Sequence, residues 1–280
     1  MLFVLLHLAC PRSIFTGNTT EDVLHLAKQL GIKGARQLVS QAKLHRVQLG
    51  GARWRIKIRS SSVDARMESL VLPEMRQDEY GLATLPPLSG TVLDIGSHVG
   101  TTAVMLATLH PNITVHAFEP AAMNFVFLVW NLLENGLLHR VIPHNLALNS
   151  KGEPFVIEYA PDDSTSTRAV HMGRSWGSLP KITQRVNAST LNRFLGACEI
   201  DEVAFVKLDC EGCEYEIVPA NDKFFRDRVM HMRGEVHAWQ MRSRGAVLDE
   251  PLVRSTERLL CRRYRLFGDK LPKHMPSCTH

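Results

Sequence analysis

A stretch of thirteen residues, VKLDCEGCEYEIV from Val206 to Val218, concentrates reactive side chains. It contains four carboxylates, one lysine and a C-x-x-C pair directly after the apolar residues VAF. Cysteines at this spacing can bind a metal or form a redox pair, whereas neighbouring carboxylates can accept a proton or hold a cation. The stretch is therefore consistent with a metal site, a redox pair or the polar end of a buried strand.

Cys210 and Cys213 are the one close pair among the six cysteines of the chain. No second C-x-x-C pair or H-x-H motif follows at the spacing of a zinc site. We therefore expect these cysteines to pack near the start of a helix, without a metal or redox role. The other cysteines lie at unrelated spacings, which favours a reducing compartment, and hence the cytoplasm, over a disulfide framework.

The reactive stretch lies in a region, residues 86–240, where predicted strands alternate with predicted helices. The strands are TVLDI, ITVHAF, RVIPHNLAL, VAFVKLD and VMHMRGEVH, and the helices cover 99–109, 121–134 and 213–226. This alternation predicts an α/β fold, a mostly parallel sheet covered by helices on both faces. A longer interval before VAFVKLD contains EPFVIEYA, PDDSTSTR and ITQRVNASTLNRFL, which we interpret as extra strands and a short helix on the ligand-facing side.

Two basic flanks surround this region. Residues 1–85 carry 12 Lys and Arg against 7 Asp and Glu, and residues 241–280 carry 9 against 4. In the first flank, EDVLHLAKQLGIKGARQLVSQAKL predicts one or two helices broken near Gly31 and Gly34, and WRIKIR predicts a strand. In the second we expect a basic helix and a tail. We interpret the excess Lys and Arg in both flanks as ordinary solvent-exposed helix faces and not as a surface that binds a polyanion. We therefore expect no nucleic-acid partner.

The first ten residues, MLFVLLHLAC, are mostly apolar but lack a basic start and include a histidine. They resemble a signal peptide only weakly. No later segment reaches the length of a membrane span, so we expect no stable membrane insertion.

Ligands of open α/β sheets bind beyond the carboxyl ends of the strands, and the first such end is VLDIGSHVGTT. Gly96 and Gly100 allow a sharp turn before a helix whose free N–H groups favour a carboxylate or a phosphate. The spacing is G-x-x-x-G, and Asp94 precedes it. The Asp94 carboxylate would repel a pyrophosphate but could accept hydrogen bonds from an ammonium group.

The second strand ends in HAFEP, which places Glu119 nineteen residues after Gly100. An acidic residue at this distance from a glycine loop is positioned to bind both hydroxyls of a ribose. Together, these features predict a ligand with an amino-acid end, near the glycine loop and Asp94, and a nucleoside end, near Glu119. S-adenosylmethionine is the common cofactor of that form.

Four segments, VLDIGSHVG, HAFEP, NFVFLVWNLLENG and FVKLDCEGCEYEIV, resemble the FkbM family of S-adenosylmethionine-dependent methyltransferases. The most specific match is the run Lys207-x-Asp209-x-Glu211-Gly212-x-Glu214, which is similar to the K-x-D-x-E-G-x-E of the family. The resemblance covers about residues 88–240 and implies a Rossmann-like class I fold that methylates a hydroxyl of a small molecule or sugar. Ser97-His98 departs from the usual Ala-Asn, and the short C-terminus leaves little room for the final antiparallel strands.

The resemblance, with the strand-end positions, gives the candidate site residues. The cofactor set is Asp94, Gly96, Ser97, His98, Gly100, Glu119, Pro120, Asn124, Ala147 and Asp209. The catalytic set is Asp209, Glu211, Lys207, Glu235 and His237. Asp209 is the first candidate for the base or for orienting the acceptor, and Glu214 and Glu216 are interpreted as charges that compensate the helix dipole.

Three alternatives stay open at this point. Asp209 and Glu211 could hold a cation, although a metal-free site is favoured because Lys207 can compensate their charge. The chain could instead be a nicotinamide-dependent oxidoreductase, against which the missing second glycine argues, or a non-catalytic nucleotide-binding module. The acceptor and the oligomeric state cannot be predicted from the sequence.

Overall fold

The computed structural model describes residues 19–49, 54–170, 178–238, 242, 249–263 and 265–267. The apolar start of the chain, a possible signal peptide, lies outside them. Helices and strands alternate through most of the described chain. The helices are α1 (Thr19–Gln29), α2 (Ala35–Ser40), α3 (Leu72–Gln77), α4 (Thr101–Leu109), α5 (Ala122–Glu134), α6 (Leu191–Ala197), α7 (Glu214–Ala220), α8 (Asp222–Asp227) and α9 (Glu250–Arg263). A π-helical segment, Met67–Val71, leads directly into α3, and a short 3-10 helix covers Leu82–Thr84.

The strands form one large sheet and three small ones. The strands are β1 (Lys43–Leu49), β2 (Trp54–Ser60), β3 (Ser89–Ile95), β4 (Asn112–Phe118), β5 (Val141–His144), β6 (Ala147–Leu148), β7 (Phe155–Ala160), β8 (Asp163–Ala169), β9 (Ile182–Val186), β10 (Ala188–Ser189), β11 (Val203–Leu208), β12 (Val229–Glu235) and β13 (Arg265–Phe267).

The large sheet has six strands in the order β13-β12-β11-β3-β4-β5, and every neighbouring pair is parallel. The strand order reverses between β3 and β11, so their carboxyl ends border the crevice where open α/β sheets bind ligands. This confirms the predicted α/β fold with a parallel sheet and helices around it. The last strand that the structure describes, β13, also runs parallel to its neighbour.

The three small sheets lie in the N-terminal flank and in the insertion. Strands β1 and β2 form an antiparallel hairpin, β6 pairs with β10, and β7 lies between β8 and β9 in an antiparallel sheet. The last of these sheets supplies one wall of the candidate site, as expected for the insertion.

Two large buried clusters lie around the central sheet. One joins the N-terminal helices and the β1–β2 hairpin to α4 and α5, and the other packs α6, α7 and α9 around β11 and β12. In the first cluster, the exposed fractions of Val23, Ile58 and Leu106 are all 0%. The N-terminal elements therefore share a core with the parallel sheet. The boundaries 1–85, 86–240 and 241–280 stay a prediction.

Three local predictions were wrong. The helical pattern extended through Leu44, but α2 ends at Ser40 and Lys43 already begins β1, because pairing with β2 overrides the local helical pattern. RVIPHNLAL was interpreted as one strand, but β5 and β6 belong to different sheets. The helix predicted over 213–226 is divided into α7 and α8, after Pro219, which cannot donate the hydrogen bond of a helix interior.

Within the part of the chain that the structure describes, no helix combines the length and the apolar character needed to cross a membrane.

Candidate functional site

A cavity of about 980 Å³ opens at the carboxyl ends of β3, β4, β11 and β12. The central sheet supplies its floor through the residues that follow each strand. The N-terminal segment around α3 and the β7–β8–β9 sheet supply its walls. The cavity therefore lies where the strand order predicted a ligand site.

The cavity brings together most of the predicted site residues. Eight of the ten cofactor candidates line it, namely Gly96, Ser97, His98, Glu119, Pro120, Asn124, Ala147 and Asp209. All five catalytic candidates also line it, namely Lys207, Asp209, Glu211, Glu235 and His237. The other two cofactor candidates, Asp94 and Gly100, are not among the lining residues.

The glycine loop between β3 and α4 packs directly against the end of β11. Gly96 has a φ of 82°, and a β-carbon built there would lie 1.8 Å from the backbone carbonyl oxygen of Asp209. A β-carbon at Gly100 would lie 2.5 Å from Cδ1 of Leu128 in α5. Gly96 thus lets two strand ends approach each other at the cavity, whereas Gly100 lets the loop pack against a helix.

Asn131 fixes the far side of this loop. Its side chain is fully buried, and its amide nitrogen donates hydrogen bonds to the carbonyl oxygens of Val99, at 2.7 Å, and Arg59, at 3.0 Å. The asparagine therefore ties the glycine loop to β2, and its role is structural.

Glu119 follows β4 and faces the cavity with 4% of its surface exposed. Its Oε2 accepts the N–H of His98 and its Oε1 accepts the N–H of Ala121, both at 2.9 Å. Burial raises the pKa of Glu119 to about 8, and these hydrogen bonds oppose the increase. Each carboxylate oxygen can accept a further hydrogen bond, so both can still bind a ligand hydroxyl.

His98 connects the glycine loop to the insertion and to the N-terminal segment. Its Nε2 contacts Oγ of Ser164 in β8, and Ser164 donates its hydroxyl hydrogen to Oδ2 of Asp64. Since Ser164 has only that hydrogen to donate, it accepts the hydrogen of Nε2. Burial lowers the pKa of His98, which favours the neutral imidazole. The Nδ1 atom of His98 is then a hydrogen-bond acceptor.

Lys207 lies at the centre of the floor with 3% of its surface exposed. Its Nζ donates to the carbonyl oxygen of Gly96 and lies 3.2 Å from Oδ2 of Asp209 and 3.7 Å from Oδ1 of Asp94. Burial lowers the pKa of Lys207, but the two carboxylates outweigh it and the pKa lies above its usual value. Asp94, which is fully buried, therefore faces the ammonium group of the chain itself.

Asp209 and Glu235 share a partner that the sequence analysis did not identify. The hydroxyl of Tyr80 donates to Oδ2 of Asp209 at 2.9 Å and contacts Oε1 of Glu235 at 3.4 Å. Burial raises the pKa of Asp209, but Lys207 and His237 lower it more, and the net shift is downward. Burial and the neighbouring Asp209 raise the pKa of Glu235 to about 8.

His237 is held by Glu214, a residue interpreted from the sequence as a helix-dipole charge. Glu214 does lie in the first turn of α7, but it is fully buried, and its Oε1 accepts the backbone N–H of His237 at 2.9 Å and contacts Nδ1 of the ring at 2.8 Å. The other ring nitrogen, Nε2, lies 3.4 Å from Oδ1 of Asp209 and 3.6 Å from Oε2 of Glu235. Burial lowers the pKa of His237, but the carboxylates of Glu214 and Glu211 raise it well above its usual value.

Cys210 and Cys213 form a disulfide bond. From the sequence we expected packing cysteines without a redox role, and the bond corrects that expectation. The two cysteines lie in the turn between β11 and α7, where the backbone returns on itself and Glu211 adopts a positive φ of 57°. The bond therefore closes the turn that connects Asp209 to Glu214.

Acidic side chains outnumber basic ones in the lining of the cavity. The ten carboxylates that line it are Glu74, Asp78, Glu79, Glu119, Glu153, Asp163, Asp209, Glu211, Glu216 and Glu235. The three Lys and Arg residues that line it are Arg66, Lys151 and Lys207. Such a lining favours a cationic ligand and disfavours a pyrophosphate.

The site residues missed by the sequence analysis come from outside the family motifs or were given another role. Tyr80 precedes the LPPL segment without a recognisable pattern, and Ser164 lies in the polar stretch PDDSTSTR. Only tertiary structure brings them to the cavity. Glu214 could have been identified as a site residue from the sequence, because it is the last acidic residue of the K-x-D-x-E-G-x-E run.

Comparison with known proteins gives one family match. The family model described as the methyltransferase FkbM domain matches residues 94–263. No curated protein matches the sequence at a significant level.

Among solved structures, a proposed transferase from Pyrococcus horikoshii aligns with a TM-score of 0.30 and 18% sequence identity. The alignment covers 47% of this chain and 54% of that protein, so the chain corresponds to about half of its length. A likeness at this TM-score supports no inference about fold or function.

Proposed function

Because this chain belongs to the FkbM methyltransferase family, we propose that it transfers a methyl group from S-adenosylmethionine to a hydroxyl oxygen of a small-molecule or sugar acceptor. One observation carries the proposal. The glycine loop after β3, Glu119 after β4 and Asp209 after β11 all face the same cavity. The candidates for binding a nucleoside and the candidates for catalysis therefore line one cavity.

The residues of the cavity fit S-adenosylmethionine. Glu119 would accept the two ribose hydroxyls on oxygens that still have acceptor capacity. The neutral ring of His98 would offer Nδ1 to the ammonium of the methionine end, in the position where the resemblance indicated a departure from the family. The acid-rich lining favours a sulfonium cation over the pyrophosphate of a nicotinamide dinucleotide.

Asp94 would act on the cofactor only through Lys207. Its carboxylate is fully buried and lies 3.7 Å from the Lys207 ammonium, which in turn donates to the carbonyl oxygen of Gly96. The two residues would thereby hold the glycine loop in the conformation that receives the cofactor. This differs from direct binding of an ammonium by Asp94, which was the expectation from the sequence.

When bound, S-adenosylmethionine supplies a methyl carbon on a positively charged sulfur, so that transfer to oxygen leaves a neutral thioether and releases the hydroxyl proton. The chain then has two tasks, to align the acceptor oxygen and to receive that proton. Asp209 and Glu235 would perform both, because their carboxylates lie side by side at the floor of the cavity. Tyr80 and Lys207 would hold the Asp209 carboxylate in place.

The acceptor would enter between the N-terminal segment and the insertion. Both line the cavity opposite the sheet, through Tyr80 and Glu74 on one side and through β7 and β8 on the other. These walls carry mixed polar and apolar groups, which suits a small hydroxylated molecule or a sugar. Their sequences lie outside the family motifs, so they would determine acceptor choice.

The proposal is tested by incubating the purified chain with a metabolite extract and S-adenosylmethionine carrying an isotopically labelled methyl group. Mass spectrometry should find labelled products with wild type and far fewer with Asp209→Asn. In parallel, S-adenosylmethionine should raise the melting temperature and NAD should not. Stabilisation by NAD alone would point instead to an oxidoreductase and would contradict the proposal.

A further inference from the structure

Three potential metal ligands converge on one point at the floor of the cavity. Nε2 of His237 lies 3.4 Å from Oδ1 of Asp209 and 3.6 Å from Oε2 of Glu235, and the three groups have ligand atoms within 4.8 Å of one another. A first-row divalent cation binds oxygen and nitrogen at roughly 2.0–2.2 Å, so neighbouring ligand atoms around it lie about 3–3.5 Å apart. The observed separations are close to those of a coordination shell.

Tyr80 leaves one oxygen of the Asp209 carboxylate and one oxygen of the Glu235 carboxylate available to a cation. Its hydroxyl contacts Oδ2 of Asp209 and Oε1 of Glu235, which are the oxygens directed away from His237. Lys207 also approaches Asp209 through Oδ2, at 3.2 Å. Oδ1 of Asp209 and Oε2 of Glu235 are therefore the two oxygens that face the imidazole.

The imidazole itself is oriented as a metal-binding histidine would be. Glu214 contacts Nδ1 at 2.8 Å and accepts the backbone N–H of the same residue, which fixes the ring in two ways. A carboxylate on one ring nitrogen is the usual support for a histidine that binds metal through the other. Nε2 lies at ion-pair distance from Asp209 and Glu235, and a cation bound between them would displace its proton. The His237 side chain is only 3% exposed and lines the cavity.

From this geometry we propose that Oδ1 of Asp209, Oε2 of Glu235 and Nε2 of His237 bind one divalent cation. Two carboxylates and one imidazole suit Mn²⁺ or a similar first-row ion that accepts both oxygen and nitrogen ligands. The proposal departs from the metal-free interpretation of the sequence, and from the pair Asp209 and Glu211 considered there, because His237 and Glu235 complete the site instead.

The role of the cation rests on the proposed function, but its binding does not. An open coordination position would hold the acceptor hydroxyl oxygen beside the bound cofactor and stabilise negative charge on it. The carboxylate oxygens that face Tyr80 stay outside the coordination shell and remain able to receive the hydroxyl proton. The cation would thus align the acceptor oxygen, and the carboxylates would receive its proton.

The test is a titration of the chelator-treated full chain with Mn²⁺ alone, following free Mn²⁺ by electron paramagnetic resonance. Wild type should bind one Mn²⁺ per chain, and Glu235→Gln and His237→Gln should each weaken binding by at least tenfold. The matched control is Glu153→Gln, which removes a carboxylate from the same cavity but from an exposed position in the insertion. This control variant should bind Mn²⁺ as wild type does.

Circular dichroism checks that each variant is folded. Asp209→Asn provides a third ligand variant if Glu235→Gln or His237→Gln does not fold.

The outcomes separate this proposal from the proposed function. Equal, weak binding by wild type and all variants would mean that the acidic cavity attracts cations without a site, and would overturn the proposal. Methyl transfer that persists in excess chelator, with no stoichiometric Mn²⁺ binding, would overturn it as well while leaving the methyltransferase function intact. Stoichiometric binding that the ligand variants lose would support it, even if S-adenosylmethionine were not the cofactor.

Discussion

The carbonyl oxygen of Asp209 occupies the space that a β-carbon on Gly96 would need. The two positions would be 1.8 Å apart, so the glycine loop and the end of β11 can approach only because residue 96 has no side chain. This contact brings the glycine loop, where we propose that the cofactor binds, against Asp209, the proposed catalytic residue. It also makes Gly96 a sensitive point for both folding and function.

Gly96→Ala should destabilise the protein more than Gly90→Ala does. Both glycines have a positive φ, 82° and 95°, so both substitutions impose similar backbone strain, but a β-carbon at Gly90 meets nothing within 4 Å. The added clash at Gly96 should cost a further 1–3 kcal/mol, approximately, in the free energy of unfolding. Chemical denaturation of the two variants measures the difference, and equal losses would show that the loop can move away from Asp209.

Cys210→Ser combined with Cys213→Ser should lower the free energy of unfolding, because the structure joins the two cysteines. Closing a loop of four residues stabilises a protein by about 2 kcal/mol in the chain-entropy model. Cys198→Ser is the control, since Cys198 is free. Alkylation of the unfolded, unreduced protein followed by mass measurement should show two protected cysteines. Full alkylation would mean that the pair is reduced.

Acid should destabilise wild type more than the variant His116→Gln. Burial lowers the pKa of His116 to about 4, and its ring packs against His144 and Phe194. The unfolded chain therefore binds the proton more tightly, and stability falls as the pH decreases from about 6.5 to 4, by up to about 3 kcal/mol.

Urea denaturation at several pH values measures this dependence. His139→Gln, at an exposed histidine, should keep the pH dependence of wild type. If His116→Gln kept it too, the buried histidine would not be the group responsible.

Asp209→Asn should lose most turnover while keeping the fold. The carboxylate accepts the Tyr80 hydroxyl and lies 3.2 Å from Lys207, and asparagine preserves its shape without its charge. Loss of a group that handles the proton should reduce the rate of methyl transfer about 100- to 10,000-fold. Asp222→Asn, which removes an exposed carboxylate paired with Arg226, should have no such effect. Single-turnover methyl transfer measures the rates, and an unchanged rate in Asp209→Asn would assign that strand end a structural role.

The parallel sheet and twelve of the residues that line the cavity could be predicted from sequence, because strand ends in an α/β fold meet at one edge. Glu119, Asp209 and Glu235 were found in this way, each directly after or at the end of a strand. Tyr80 could not be found, since its distance from Asp209 depends on how the N-terminal segment packs across the sheet. Local patterns also failed at Lys43, where strand pairing determines the conformation.

The roles of site residues were harder to predict than their positions. Asp94 follows the motif of a ligand-binding acid, yet its carboxylate lies against Lys207 beneath the cavity. Glu214 has the position of a helix-dipole charge, yet it holds His237. The direction in which such a side chain points depends on tertiary packing, and a single sequence does not reveal that packing.

A calorimetric titration of the purified chain with S-adenosylmethionine shows directly whether the cavity binds this cofactor. Wild type should bind one molecule per chain. Glu119→Ala should bind about 10- to 100-fold more weakly, because two hydrogen bonds to the ribose hydroxyls are together worth roughly 1–3 kcal/mol. Asp222→Asn, away from the cavity, should bind as wild type does. No binding by wild type, or equal affinity in Glu119→Ala, would contradict the assignment of this cavity to S-adenosylmethionine.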